Sequence, residues 1–322
     1  MTTAAVARAA RVLRADGLVA FPTETVYGLG ADASSDTALA RLYAVKQRPP
    51  DHPVIVHLGD PDRLDDWGRD LSDDARLLAV SFWPGPLTLV VRRNDQMVSD
   101  VVTGGRDTVG LRVPDQPLAL DLLREFGGGI AAPSANRFGR VSPTTAAHVR
   151  ADLGNDVDAI LDGGSCSVGV ESTIVDCSGS HVRLLRRGGV PVDRIAAILG
   201  RPVDEAADGE GPAAPGRLAA HYQPRARVVV VGHSDHAIVE AQRHLDGGAR
   251  TGLLAPGPLP PDLPSGLEIV GAPPNTDEYA RSLYACLRDA DTRGLDVLVV
   301  VPPAAQGVGA AVEDRLRRAA AS

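Results

Sequence analysis

Lysine is nearly missing from this chain: of 33 basic residues, 32 are arginine and one, Lys46, is lysine. The two cations differ in shape, hydration and donor geometry, so a lone lysine suggests a position that wants a compact point charge. Chance survival on a solvated helix end is the plain alternative. Cysteine is also scarce. Cys166, Cys177 and Cys286 are too few and too scattered for a disulfide framework or a four-ligand zinc site, which fits a reducing cytosol. Aromatics make up 3%, which leaves few platforms for stacking bases. The net charge of −8 gives no field that gathers phosphate backbones, so a dedicated nucleic-acid binder is not expected. No apolar run approaches the roughly 18 residues of a membrane span, and the N-terminus has no apolar core ending in a cleavage site. The expectation is a cytoplasmic protein with no membrane partner.

What is present is ordinary globular material, 322 residues with 44% hydrophobic and 23% charged, enough for about two domains. Helical spacing over residues 3–16 ends at Gly17, and Leu18 to Phe21 reads as a short buried strand. Further strands are read at 54–57, 87–91, 108–113, 130–132, 159–161, 172–176 and 182–185, with helices at 36–45, 72–82, 116–126, 144–153 and 192–199. Residues 1–203 thus read as a mixed α/β domain. Residues 204–225 have linker composition, rich in Ala, Gly, Pro and acids. Over 226–322, strands at 227–231, 252–255, 267–270 and 296–301 alternate with helices at 234–245, 276–290 and 308–320, which implies a smaller, Rossmann-like parallel α/β domain.

Common signatures are mostly absent. The only lysine follows Val45, so there is no Walker A loop, and no Gly-x-Ser-x-Gly elbow or His-Glu-x-x-His pair occurs. Gly28-Leu29-Gly30 sits too far behind its strand for a dinucleotide fingerprint and reads as turn glycines. His148, His181 and His233 read as structural hydrogen-bonders.

Several strand-end loops nevertheless carry polar groups that packing does not require. Phe21-Pro22-Thr23-Glu24-Thr25-Val26-Tyr27-Gly28 leaves a buried strand with two hydroxyls and a carboxylate. Lys46-Gln47-Arg48-Pro49 ends a helix with two cations, which an answer to the helix dipole would also explain. Ala132-Pro133-Ser134-Ala135-Asn136 offers a hydroxyl and an amide, as an ordinary turn also would. Gly169-Val170-Glu171-Ser172-Thr173 repeats the theme.

Together with Trp83 to Thr88 and Leu185-Arg186, these stretches resemble the threonylcarbamoyl-AMP synthase family in its long, two-domain form, the match running in family order over residues 1 to about 200. The resemblance implies a YrdC-like twisted-sheet N-terminal domain and an ATP-dependent nucleotidyltransferase. It would join L-threonine, bicarbonate and ATP, with Mg²⁺ on the nucleotide, into threonylcarbamoyl-AMP and pyrophosphate. A tRNA threonylcarbamoyl transferase would receive the product to make the threonylcarbamoyladenosine of certain tRNAs. Carried over by position, Lys46 and Arg48 would be catalytic and face the triphosphate. Thr108, Ser134, Asn136, Ser142, Arg186 and Tyr222 would complete the ATP site. Thr23, His57, Arg112 and Ser172 would hold threonine, with no residue set aside for a metal. His221-Tyr222-Gln223-Pro224 matches a segment expected to fold over the pocket as a lid. The chain departs from the family at His52, where Asn is usual, and at Arg217-Leu218-Ala219-Ala220. An RNA-binding module and a carbamoyl-transfer enzyme using carbamoyl phosphate are the rival readings.

Overall fold

The computed structural model describes residues 2–207, 210–216 and 220–321. The chain divides into two compact units: Met1–Phe138 with Ser142–Ser167 and Glu171–Arg217, and Gly139–Val141 with Val168–Val170 and Leu218–Ser322.

The first unit carries eleven short strands. In chain order they are β1 Val19–Phe21, β2 Gly28–Asp32, β3 Ile55–His57, β4 Gly68–Arg69, β5 Leu87–Arg93, β6 Thr108–Arg112, β7 Ile130–Ala131, β8 Ala159–Ile160, β9 Thr173–Asp176, β10 Arg183–Arg186 and β11 Asp204–Glu205. They form one mixed sheet in the order β11-β10-β9-β5-β6-β3-β7-β2-β1-β8, with β4 on β5. Alternation along each strand sorts residues between the two faces. On one face Leu29, Ala31, Val56, Leu89, Val91, Val109, Leu111 and Val175 enter the main core. The opposite face takes Phe21, Ile55, His57, Thr88, Val90, Thr108, Gly110, Arg112 and Ile130. Part of it is covered by helices Thr2–Arg14 and Pro117–Phe126, whose Val6, Leu13, Leu122 and Leu123 pack on Phe21 and Ile130. The rest of that face carries the polar side chains.

Strand β2 corrects the reading of Gly28 and Gly30 as turn residues. Both lie in a central strand paired with β1 and β7, with Leu29 and Ala31 alternating into the core. A Cβ on Gly30 would stand 2.8 Å from Ile130 Cγ2 and 2.9 Å from the Phe21 ring, so the glycine makes room for Phe21 across the strand. Part of the linker is also ordered. Asp204–Glu205 adds a parallel edge strand to β10, and Ala206 is buried on Ile55, Val90, Ile174 and Leu185. Asp208, Gly209 and Arg217 to Ala219 lie outside the described residues.

The second unit is a four-stranded, wholly parallel sheet of β12 Arg227–Val230, β13 Thr251–Leu254, β14 Glu268–Gly271 and β15 Val297–Val300, in the order β12-β15-β13-β14. Leu253, Val297 and Val299 face Ala237 and Ala241 of helix Ser234–Asp246. Helices Thr276–Arg293 and Gly309–Ala320 lie against β14 and β12. Residues buried on both sides explain the near-continuous Val and Leu runs. No helix among the described residues is long and apolar enough to cross a membrane.

Candidate functional site

Helix Asp36–Lys46 stops because Gln47 takes a left-handed conformation (φ 54°) whose N–H closes on Tyr43 and Ala44. That stop turns Lys46 inward. Its side chain is 1% exposed, and Nζ lies 2.5 Å from the main-chain oxygens of both Ser134 and Asn136. The return contact comes from Phe138, whose N–H donates to Lys46 O. Burial, and then the nearby Arg48, push the Lys46 ammonium well below the ordinary lysine range. A neutral amine still has the two N–H groups those carbonyls use. Arg48 donates Nε and Nη2 to the carbonyls of His52 and Pro53 and stacks on the Phe138 ring at 5.4 Å. His52 therefore presents its main-chain oxygen to Arg48.

The Ser134–Asn136 loop is fixed from a second side. Gly28 and Ser134 form an isolated antiparallel bridge, while Ala135 N–H donates to Tyr27 O and Leu29 N–H to Pro133 O.

Arg112 closes β6 opposite His57 in β3. Its guanidinium is buried, donates Nε to Gly85 O at 3.2 Å and Nη1 to Thr25 Oγ1 at 2.9 Å, and meets Glu24 Oε1 at 2.6 Å through Nη2. Thr23 Oγ1 sits 2.8 Å from Thr25 Oγ1, donates to Val26 O and receives the N–H groups of Thr25 and Val26. His57 is buried with its ring edge-on to Phe21, and its Nδ1 has no hydrogen-bond partner among the described residues. Burial first, and then the Arg112 charge, lower its pKa to about 3, so the ring is neutral at physiological pH.

Ser172 precedes β9 and shares a 2.8 Å hydrogen bond with Thr88. Arg186, at the end of β10, donates Nε and Nη2 to Ser172 O, Nη2 again to Ser172 Oγ, and Nη1 to Pro215 O. One arginine thus ties the polar loop to the linker. Ser142 donates to Glu171 Oε1 at 2.8 Å. A groove lined by Ile55, Thr88, Thr108, Gly110, Ala213 and Pro215 places half-buried Thr108 beside this group.

The first unit therefore gathers Lys46 with Ser134 and Asn136, Arg112 with the Thr23 loop and His57, and Ser172 with Arg186. Four basic side chains from three separate stretches, Lys46 and Arg48, Arg112, and Arg186, are all buried. Tyr222 belongs to the second unit. It is 1% exposed, has a positive φ of 63°, stacks on Tyr284 at 5.7 Å and lies under the buried Arg315 guanidinium. Sequence reasoning did not single out Glu24, Thr25, Thr88 or Glu171 as site groups. The signal available for Glu24 and Thr25 was a carboxylate and a hydroxyl beside Thr23 in a segment that the structure buries. Among the described residues no three His, Cys, Asp or Glu side chains cluster to hold a metal.

Residues 11–188 match the family model described as telomere recombination, and residues 190–321 match that of the threonylcarbamoyl-AMP synthase C-terminal domain. The chain is similar to a threonylcarbamoyl-AMP synthase of Bacillus subtilis, 40% identical over 98% of this chain and 92% of that one. A Pyrococcus abyssi protein of the same name is 38% identical over 97% and 92%. Among solved structures, P. abyssi Sua5 complexed with L-threonine superposes with a TM-score of 0.89 at 37% identity, covering 98% of this chain and 94% of that one.

Proposed function

The chain belongs to the threonylcarbamoyl-AMP synthase family, and on that premise we propose that it condenses L-threonine, bicarbonate and ATP into threonylcarbamoyl-AMP and pyrophosphate. It is a nucleotidyltransferase-type enzyme that makes threonylcarbamoyl-AMP for tRNA modification, and threonine is its amino-acid substrate.

The observation that carries the reading is the burial of Lys46, Arg48, Arg112 and Arg186 in the first unit, among loops that bear hydroxyls. An isolated buried ammonium is expensive, and an anionic ligand offsets that expense. In the proposed reaction a carbamate oxygen of threonylcarbamate attacks the α-phosphorus and the bond to the β-phosphate oxygen breaks, so negative charge builds on the leaving pyrophosphate. Such a step is served by positioning and electrostatic stabilisation, with no covalent intermediate.

Lys46 and Arg48 face the triphosphate in this scheme. Ser134, Asn136, Ser142, Thr108 and Arg186 hold the nucleotide, and Thr23, His57, Arg112 and Ser172 hold threonine, Arg112 offering its fork to the carboxylate. Mg²⁺ arrives with ATP as part of the substrate. Glu171, which accepts from Ser142, would be the carboxylate to hold that ion, since magnesium needs only one or two such groups besides phosphates and water. The product then passes, in the cytoplasm, to a tRNA threonylcarbamoyl transferase.

The test is pyrophosphate release from ATP with threonine and bicarbonate supplied together and each omitted. Release that requires both supports the reading. Salt-sensitive RNA binding without threonine-dependent ATP consumption, or turnover of carbamoyl phosphate, refutes it.

A further inference from the structure

We propose that Glu24 and Arg112 form a two-charge cradle for an α-amino acid, with Glu24 accepting the α-ammonium while Arg112 takes the α-carboxylate. This deepens the threonine-site reading and rests on it. Both side chains are almost fully enclosed, 5% and 4% exposed, and they touch at 2.6 Å. A purely structural buried ion pair needs its remaining lone pairs satisfied. Here, beyond the Arg112 contact, neither oxygen of Glu24 has a hydrogen-bond partner among the described residues. A carboxylate has about four acceptor sites, and a primary ammonium brings three donors to fill them.

The arginine side is locked in orientation. Thr25 Oγ1 accepts from Arg112, so its own hydrogen goes to Thr23 Oγ1, whose hydrogen in turn goes to Val26 O. That one-way chain, together with Gly85 O on Nε, fixes the plane of the guanidinium. Two of its five N–H groups are then directed at Gly85 and Thr25, Nη2 meets Glu24 as an ion pair without a hydrogen bond, and the remainder of the fork is left for a carboxylate. Opposite charges side by side and shielded from solvent suit a zwitterion better than a simple anion, because each ligand charge replaces lost hydration with a fixed partner. Thr23, besides its place beside the amino acid, also positions Arg112 through this chain.

The test compares binding of L-threonine with that of 3-hydroxybutanoate, which keeps the carboxylate and hydroxyl and lacks the amine. Calorimetry is run on the full chain and on its Glu24→Gln and Glu24→Asp variants, with thermal melts to verify folding. Wild type should prefer threonine by about tenfold or more, the size of a charge-assisted hydrogen bond. Glu24→Gln should weaken threonine by a similar factor and leave the deamino analogue within about threefold, with Glu24→Asp intermediate. Equal weakening of both ligands, or of neither, overturns the cradle. If Glu24→Gln does not fold, Glu24→Asp decides alone by the same ratio. Wild type that binds both ligands equally sinks the cradle only, whereas wild type that ignores threonine sinks the functional reading itself.

Discussion

The Lys46 ammonium nitrogen lies against the main-chain oxygen of Ser134, joining the end of a helix to a loop 88 residues downstream. Both ends of this contact are set locally. The left-handed Gln47 turns the lysine inward, and the Gly28 bridge holds the loop against it. The one lysine of the chain therefore sits where a short-headed cation reaches two carbonyls at once, a task for which a planar guanidinium is the wrong shape.

Lys46→Met should separate stability from activity. The apolar side chain keeps the volume and removes a buried amine, so the urea-unfolding free energy should stay within about 1 kcal/mol of wild type or rise. Pyrophosphate release should fall by more than about a hundredfold. The sign with pH follows from the lowered pKa. Between that value and 10.5 the unfolded chain binds the extra proton, so the wild-type burden shrinks as pH rises through this window, and Lys46→Met should remove that part of the slope.

His57→Gln should blunt acid sensitivity. The imidazole titrates near 6.5 when unfolded and about 3 when folded, so the unfolded state holds more protons between those values. Stability is lost as pH falls from 6.5 toward about 3, on the order of 4 kcal/mol in total. Urea midpoints measured across that range should fall less steeply in the variant. An unchanged slope would show that the ring is not the group responsible.

Arg186→Lys should loosen the linker. A lysine cannot reproduce the donors that reach Ser172 O, Ser172 Oγ and Pro215 O together. Limited proteolysis within residues 206–216 should quicken by about fivefold or more, since cleavage tracks local opening. The KM for ATP should rise in parallel. Cleavage at the wild-type rate would count against the tether.

Gly188→Ala should disturb the loop before β9. A Cβ there would come within 2.3 Å of Ser172 C and Thr173 N, and 2.4 Å of Glu171 O, all main-chain atoms with no flexible end to yield. The expected loss is roughly 2 kcal/mol or more in unfolding free energy, with weaker threonine binding, because Ser172 is carried by the displaced segment. Thermal melts with and without threonine measure both.

Much of the site was legible because strand-end loops announce themselves: hydroxyls, amides and cations directly after apolar runs have little reason to be there for packing. Glu24 was passed over for a physical reason. A glutamate in a loop reads as solvated, and only its enclosure beside Arg112, 88 positions away, gives it a charge to answer. Gly28 and Gly30 misled in the opposite sense, since glycine marks turns in a sequence but here yields space to Phe21 from a neighbouring strand. The acidic, Pro-rich linker gave no sign that Asp204–Glu205 would pair with β10, because a two-residue strand has no period to read.

The sequence by itself determined the alternation of elements, the parallel character of the second unit and the family, since each rests on local periodicity or on motifs kept in order. Which face of the first sheet became polar, which cation received which carbonyl, and the meeting of Glu24 with Arg112 were decided only by the tertiary structure. Those pairings join residues tens of positions apart, and strand register places them by turning every second side chain to the same side.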